Sequence, residues 1–260
     1  MEPQKKGVLL TVTRAMDLLN CFSYENPEWS LSDLSRKLKQ PKSVVFRLLS
    51  TLKEGDFIEQ NSRTKKYHLG IAIFHLGAVA ESQMDLRKKA YGLMLSLAEA
   101  TSETVLLTVL DHDSSVCVEK IDSTQRVKVM AEIGRRLELY AGAPHKMLLA
   151  YFSQEDLQRV LPKKLKAFGP NSIQDKKILK EQLALIRKRG YAISREERSP
   201  GIGSVSAPIR DRNSRVIASL SLAIPINRFT SDRIPQLIDL VQAHAEQLSK
   251  KLGYRLRSKT

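Results

Sequence analysis

The chain is poor in the features that mark several protein classes. Its 260 residues include only two cysteines, Cys21 and Cys117, each among apolar neighbours, too few for a disulfide framework or a cysteine metal cluster. A reducing cytosol, and so a cytoplasmic location, suits such a chain. No run approaches the roughly 20 apolar residues needed to cross a bilayer, so no membrane partner is expected. Met1 to Gly7 opens onto an amphipathic pattern instead of a signal-peptide core. There is no G-x-S-x-G elbow, no HExxH pair and no phosphate loop. Gly201-Ile202-Gly203-Ser204 resembles such a loop in composition only, because no lysine follows and a strand comes next. His68, His75, His112, His145 and His244 stand at spacings that match no helical ligand pair. Neither metal nor cofactor is expected. The surviving enzyme reading makes Cys117 a nucleophile with His112 or His145 as base. The apolar run Val116-Cys117-Val118 argues instead for a buried structural thiol, and catalysis is not expected.

What is present is a chain able to fold. Hydrophobic residues make up 42% and charged residues 27%, enough for a core and too apolar for disorder. The length is generous for a single core, so two domains are expected. With 43 Lys plus Arg against 28 Asp plus Glu the formal net charge is +15, which favours polyanionic partners. Residues 1–83 carry 12 basic and 9 acidic side chains, so most of the excess lies further on. The densest run lies between Lys163 and Arg189, with Asp175 and Glu181 its only acids. A solvated helix face accounts for it, so a case for nucleic acid must come from elsewhere.

That case comes from the first 70 residues. Val12, Ala15, Met16, Leu19 and Phe22 recur at helical spacing. After Asn26-Pro27, Ser30 stands three residues before Asp33 and predicts a capped helix burying Leu31, Leu34 and Leu38. Pro41 suits the first position of a third helix, whose buried stripe is Val44, Val45, Leu48, Leu49 and Leu52. Ser43, Phe46 and Ser50 fall opposite that stripe, flanked by Lys42 and Arg47. Two short extended stretches, 57–60 and 66–69, flank a turn with Arg63 and Lys65 at its tip.

Three helices and such a hairpin make a winged helix-turn-helix. Lys42, Ser43, Phe46, Arg47 and Ser50 would face a major groove, and Arg63 and Lys65 would neutralise phosphates. A three-helix protein-interaction module has the same periodicity. Phe46 argues against it, since a large ring outward on a basic helix wants a partner surface.

A helical pattern over 71–89 predicts a connecting helix, which would transmit orientation better than a flexible linker. Further on, a helix over 90–100 precedes strands expected at 105–110, 116–121 and 127–133. Helices follow at 143–152, 154–161 and 176–189, then strands at 191–194, 204–209 and 216–224 and a last helix at 231–252. The expected class is α+β.

The strings LTVTRAMDLL, LSDLSRKL, PKSVVFRLLSTLKEGDFI and YHLGIAIFHLG follow one another as in the IclR family of bacterial transcription regulators. KMLLA, GYAISREE, PGIGSVSAPI and IASLSLAIP continue the resemblance through the second half. Each string is weak alone and their ordered set is specific. The resemblance implies a winged helix-turn-helix over 1–76, a linker helix over 77–89 and a GAF-like effector domain over 90–260. It also implies a small organic acid as effector, double-stranded operator DNA as partner, and a homodimer or homotetramer on a palindrome; RNA polymerase is a further candidate partner.

The family's effector pocket maps onto Ala143, Pro144, Ser194, Ser204, Ser221 and Ala223. Amides from Gly142 to Lys146 would then face an anion beside the hydroxyls. Ser194 departs from the common acid, Pro144 lacks an N–H, His145 replaces glycine and Val44 replaces threonine. A helix-surface position is expected for His145. The competing reading is an architectural DNA-binding protein whose C-terminal domain only oligomerises.

Overall fold

The computed structural model describes residues 8–255, without the side chains of Glu81 and Ser82. It falls into two compact units that divide between Met84 and Asp85.

The first unit holds α1 (Leu10–Leu19), α2 (Leu31–Leu38), α3 (Lys42–Glu54), the hairpin strands β1 (Ile58–Gln60) and β2 (Tyr67–Leu69), and α4 (Ile71–Ser82). Ser30 caps α2: its Oγ accepts from the Asp33 N–H at 3.2 Å and donates to the Asp33 carboxylate at 2.6 Å. That bond, with Arg36 beyond it, holds the Asp33 carboxyl below its ordinary range. Lys39 turns the chain with φ 51°. Pro41 then caps α3, accepting from Val45 N–H at 3.1 Å, so it stands one residue before the first turn and not within it.

Leu18, Leu34, Val45, Leu49 and Ile58 are wholly buried and form the centre of this unit. Leu31, Leu38, Val44 and Leu52 pack around them. The stripe expected on α1 needs correction. Val12 and Met16 are exposed, and the face that docks is Ala15, Leu18 and Leu19, because α1 begins at Leu10 and turns that side toward α3.

The hairpin is closed by β1 against β2, with Gln60 opposite Tyr67. Trp29 adds a bridge, exchanging backbone hydrogen bonds of 2.9 and 2.8 Å with Tyr67. Gly70 follows at a point where a Cβ would lie 2.1 Å from the Asp56 carbonyl oxygen, so only glycine lets the return strand pass.

The single helix expected over 71–89 is two. α4 ends at Ser82, and α5 (Asp85–Thr101) starts afresh with an acid in its first turn, where the helix dipole favours it.

The second unit continues with β3 (Thr104–Asp111), β4 (Ser114–Ile121), β5 (Arg136–Glu138), α6 (Ala143–Leu149), α7 (Gln154–Val160) and α8 (Lys176–Arg189). β6 (Ala192–Arg195), β7 (Ile202–Arg210), β8 (Val216–Pro225) and α9 (Ile234–Lys251) complete it. The strands form one antiparallel sheet in the order β5-β4-β3-β8-β7-β6. A strand expected at 127–133 is not formed. Val127 and Met130 are exposed there, and the partner of β4 is the short, charged β5 instead.

Side chains alternate across a strand, so register sorts the sheet into two faces. Val105, Leu107, Val205, Ile209, Leu220, Leu222 and Ile224 share one face, all wholly buried. Glu119, opposite Leu107, receives the Arg87 guanidinium of α5 at 2.6 Å, which places α5 on this side; α9 packs against α5 and β7. The other face carries Thr104, Thr108, Ser204, Ser206, Ser219 and Ser221, and α6 covers it. Beyond α6, Met147 and Leu149 share a core with Leu157 of α7 and Leu179, Leu183 and Ile186 of α8.

Candidate DNA-reading helix and effector pocket

In the first unit Lys42, Ser43, Phe46 and Arg47 are exposed on α3, and Ser50 is half-buried on the same side. Val45, Leu48 and Leu49 hold the opposite side in the core. The Phe46 ring is 52% exposed, which is costly for a ring that meets nothing. The hairpin tip is an ordered turn: Asn61 Oδ1 accepts from Arg63 N–H at 2.9 Å and Thr64 N–H at 3.1 Å. The side chains of Arg63 and Lys65 point into water beyond it. Lys39 and Lys66, not singled out from sequence, are exposed cations at the α2–α3 turn and on the hairpin. Isolated lysines between elements give no periodic signal.

In the second unit the register sets four of the six residues expected around an effector on one face of the sheet, and α6 lays Ala143 and Pro144 against that face. Ser194 lies opposite Ser204, and Ser204 opposite Ala223, in one row across β6, β7 and β8. Ala143 N–H points to Ser204 Oγ at 3.4 Å, and the Pro144 carbonyl accepts from Ser219 at 3.0 Å. Ser221 donates to Ser206 at 2.9 Å, which in turn donates to the Leu220 carbonyl at 3.3 Å. Ser219 and Ser206 complete the polar face and were missed. Their signal was present as the alternation of serine in GSVSAPI and ASLSLAIP. The Ser194 and Ser204 hydroxyls, 4% and 6% exposed as residues, have no acceptor for their protons among the described residues.

The start of α6 is not free to meet an anion. Gly142, at φ 95°, donates its N–H to Glu197 Oε2 at 3.2 Å, and Lys146 Nζ reaches Glu197 Oε1 at 2.5 Å and Gln182 at 2.8 Å. A protein carboxylate therefore occupies the place where an anion was expected, and Lys146 is wholly buried with it. Burial lowers the Lys146 pKa from the ordinary lysine value while Glu197 opposes the shift. His145 is likewise not on a helix surface. It is 8% exposed, bonded to Ser115 Oγ at 2.6 Å, and pushed down to about 3 by burial, with Arg198 adding to the effect. It is neutral and its role is packing and hydrogen bonding.

The parts of an enzyme do not assemble. Burial raises the Cys117 thiol to about 11, and its Sγ points to the Glu119 carbonyl. His112 is paired with Asp111 and His145 with Ser115. Among the described residues no group of three or more metal-ligating side chains comes together. No described helix is long and apolar enough to cross a membrane.

A winged helix-turn-helix with an exposed basic face on α3, followed by a separate α/β unit, has the form of a DNA-binding transcription regulator. Comparison with known proteins gives the same class. The IclR helix-turn-helix domain matches residues 11–62, and the C-terminal domain of bacterial IclR transcriptional regulators matches residues 78–250. The chain belongs to the IclR family of bacterial transcriptional regulators.

It is 34% identical over 245 residues to the transcriptional regulator KdgR of Dickeya chrysanthemi, covering 94% of this chain and 80% of that one. It is 33% identical to KipR of Bacillus subtilis, over 94% and 97% of the two chains. Among solved structures it resembles an IclR-type regulator from Silicibacter sp. TM1040, with a TM-score of 0.85 and 28% identity over 95% and 98% of the chains. These relatives are named transcriptional regulators, not enzymes.

Proposed function

We propose that α3 reads a specific operator and that a small organic acid, held on the serine face beneath α6, shifts that binding. The observation that carries the reading is the division of α3 into a buried aliphatic side and an exposed side bearing Lys42, Ser43, Phe46, Arg47 and Ser50. Arg47 is the candidate for a bidentate contact to guanine and Phe46 for a thymine methyl, while Arg63 and Lys65 meet phosphates. The residues up to Ser82 form the operator-reading part, and those from Asp85 onward the effector part.

In the effector part, Ala143, Pro144, Ser194, Ser204, Ser221 and Ala223 surround the ligand. With the Gly142 and Ala143 amides already engaged, the Ser194 and Ser204 hydroxyls are its donors, and Glu197 sets a limit on the charge it can carry. Apolar side chains left in water on α1 and α4, among them Leu10, Ile71 and Phe74, support self-association into the homodimer that a palindromic operator needs.

The test starts from an operator selected out of a random duplex pool. Arg47→Ala should weaken operator binding about 10- to 100-fold, or about 1 to 3 kcal/mol, with little effect on random DNA. Lys65→Ala should instead lower the salt slope by about one. Equal loss on both DNAs for Arg47→Ala would remove α3 from sequence reading. Ser204→Leu and Ser221→Leu should abolish the response to organic acids while operator binding persists. If no acid changes operator binding by the unmodified protein, the architectural reading takes its place.

A further inference from the structure

A cleft lies at the other end of α6, away from the serine face. It has a volume of about 450 Å³ and opens where the β3–β4 turn, the β7–β8 turn and the α6–α7 turn converge. A volume of this size falls within the roughly 300 to 1,000 Å³ typical of small-molecule sites.

Its wall is apolar: Leu110 from β3, Leu148 from α6, Val216 from β8, and the rings of Tyr151 and Phe152. The Tyr151 ring is held in place. Arg210 stacks 4.8 Å above it and donates to its hydroxyl at 3.0 Å. A flat, immobilised ring at a cavity wall suits a planar guest.

The rim carries the charge. Asp156 and Arg159 neutralise each other across 3.1 Å, with Ser153 also donating to Asp156. Arg215 differs. Its backbone is tied into the β7–β8 turn by Asp211, which accepts from its N–H at 3.0 Å, while its guanidinium has no partner among the described residues. The cleft therefore combines one uncommitted cation on an anchored stretch of backbone with an aromatic wall.

We propose that this cleft binds an aromatic monocarboxylate, with the ring against Tyr151 and the carboxylate on Arg215. The site is separate from the serine face and does not rest on the effector reading, since none of its lining residues is among those assigned there.

The test uses the full chain and 2-naphthoate as probe. In calorimetric titration the unmodified protein should bind one equivalent per chain. Arg215→Ala should weaken it at least tenfold, as loss of a charge-assisted contact does, and Leu110→Trp should abolish it by filling the cleft. Both positions are exposed enough for the variants to fold. Methyl NMR of the unmodified protein should show shifts at Leu110 and Val216 but not at Val205, on the far face of the sheet. Ser204→Leu should retain full affinity. Absence of binding at millimolar 2-naphthoate overturns the proposal. So does unchanged affinity in Arg215→Ala, or methyl shifts confined to the residues around Ser204.

Discussion

The two faces of the six-stranded sheet are both buried and yet chemically opposite. Against α5 and α9 the face is aliphatic, and its wholly buried leucines, valines and isoleucines gain from leaving water. Under α6 it is made of serine and threonine, and several of their hydroxyls find partners one by one, Ser219 with Pro144, Ser221 with Ser206 and Ser204 with the Ala143 amide. Hydroxyls add little net stability when satisfied and cost much when orphaned. A protein selected for stability alone would use the first face twice. Retaining the second is what the proposed effector role of this surface would require, with α5 and α9 packed on the opposite side of the sheet.

The contrast can be broken in four ways. The largest effect should come from Glu197→Ala, which strands the buried Lys146 charge and the Gly142 amide behind α6. About 3 to 5 kcal/mol of stability should be lost by urea denaturation, and a loss below 1 kcal/mol would mean that Lys146 finds water or another partner. On the opposite face, Leu222→Ala should cost about 2 to 5 kcal/mol without altering any response to small acids. A changed ligand response in that variant would show that the faces are coupled.

Acid should act through His145. Because its pKa is pushed down to about 3 from 6.5 in the folded chain, the unfolded chain binds a proton below pH 6.5 that the folded chain refuses. Stability therefore falls as pH drops from 6.5 toward 3, by about 2 kcal/mol at pH 5 relative to neutrality. His145→Ala should lose that component of the pH dependence, measured as urea midpoints at pH 7.5 and 5. The smallest effect should be Ser219→Ala, about 1 kcal/mol for one hydroxyl bond to the Pro144 carbonyl. A neutral result would mark that bond as dispensable to the seating of α6.

Elements with strong local signals were legible in advance. α8 runs over Lys176–Arg189 as its pattern predicted, with Asp175 accepting from Lys177 N–H at one end and Gly190 at φ 75° at the other. The Ser30–Asp33 cap and the α3 stripe were equally readable, because each lies within one or two helical turns. The strand expected at 127–133 failed for a complementary reason. Its apolar residues have strand propensity, but β4 pairs with Arg136–Glu138, and pairing is decided by what lies alongside. The break between α4 and α5 was missed because apolar residues run on either side of it and no proline marks it.

For the candidate site the division is similar. The serines at 204 and 221 were visible from their alternation along a strand and from the family resemblance. That His145 is buried against Ser115, 30 residues away, and Lys146 against Glu197, 51 residues away, left no trace in local pattern.

By itself the sequence determined the family, the capped helices, the exposed basic side of α3 and which residues alternate on each strand, since all of these depend on spacing along the chain. Only the tertiary structure decided that Glu197 takes the place expected for an anion at the start of α6, that His145 is neutral and buried, and that the Arg215 guanidinium, without a partner among the described residues, stands at the rim of a cleft lined by Tyr151 and Phe152. Those outcomes depend on polar groups meeting across long stretches of chain, where the cost of burying an unpaired charge selects the partner and no repeat in the sequence records the choice.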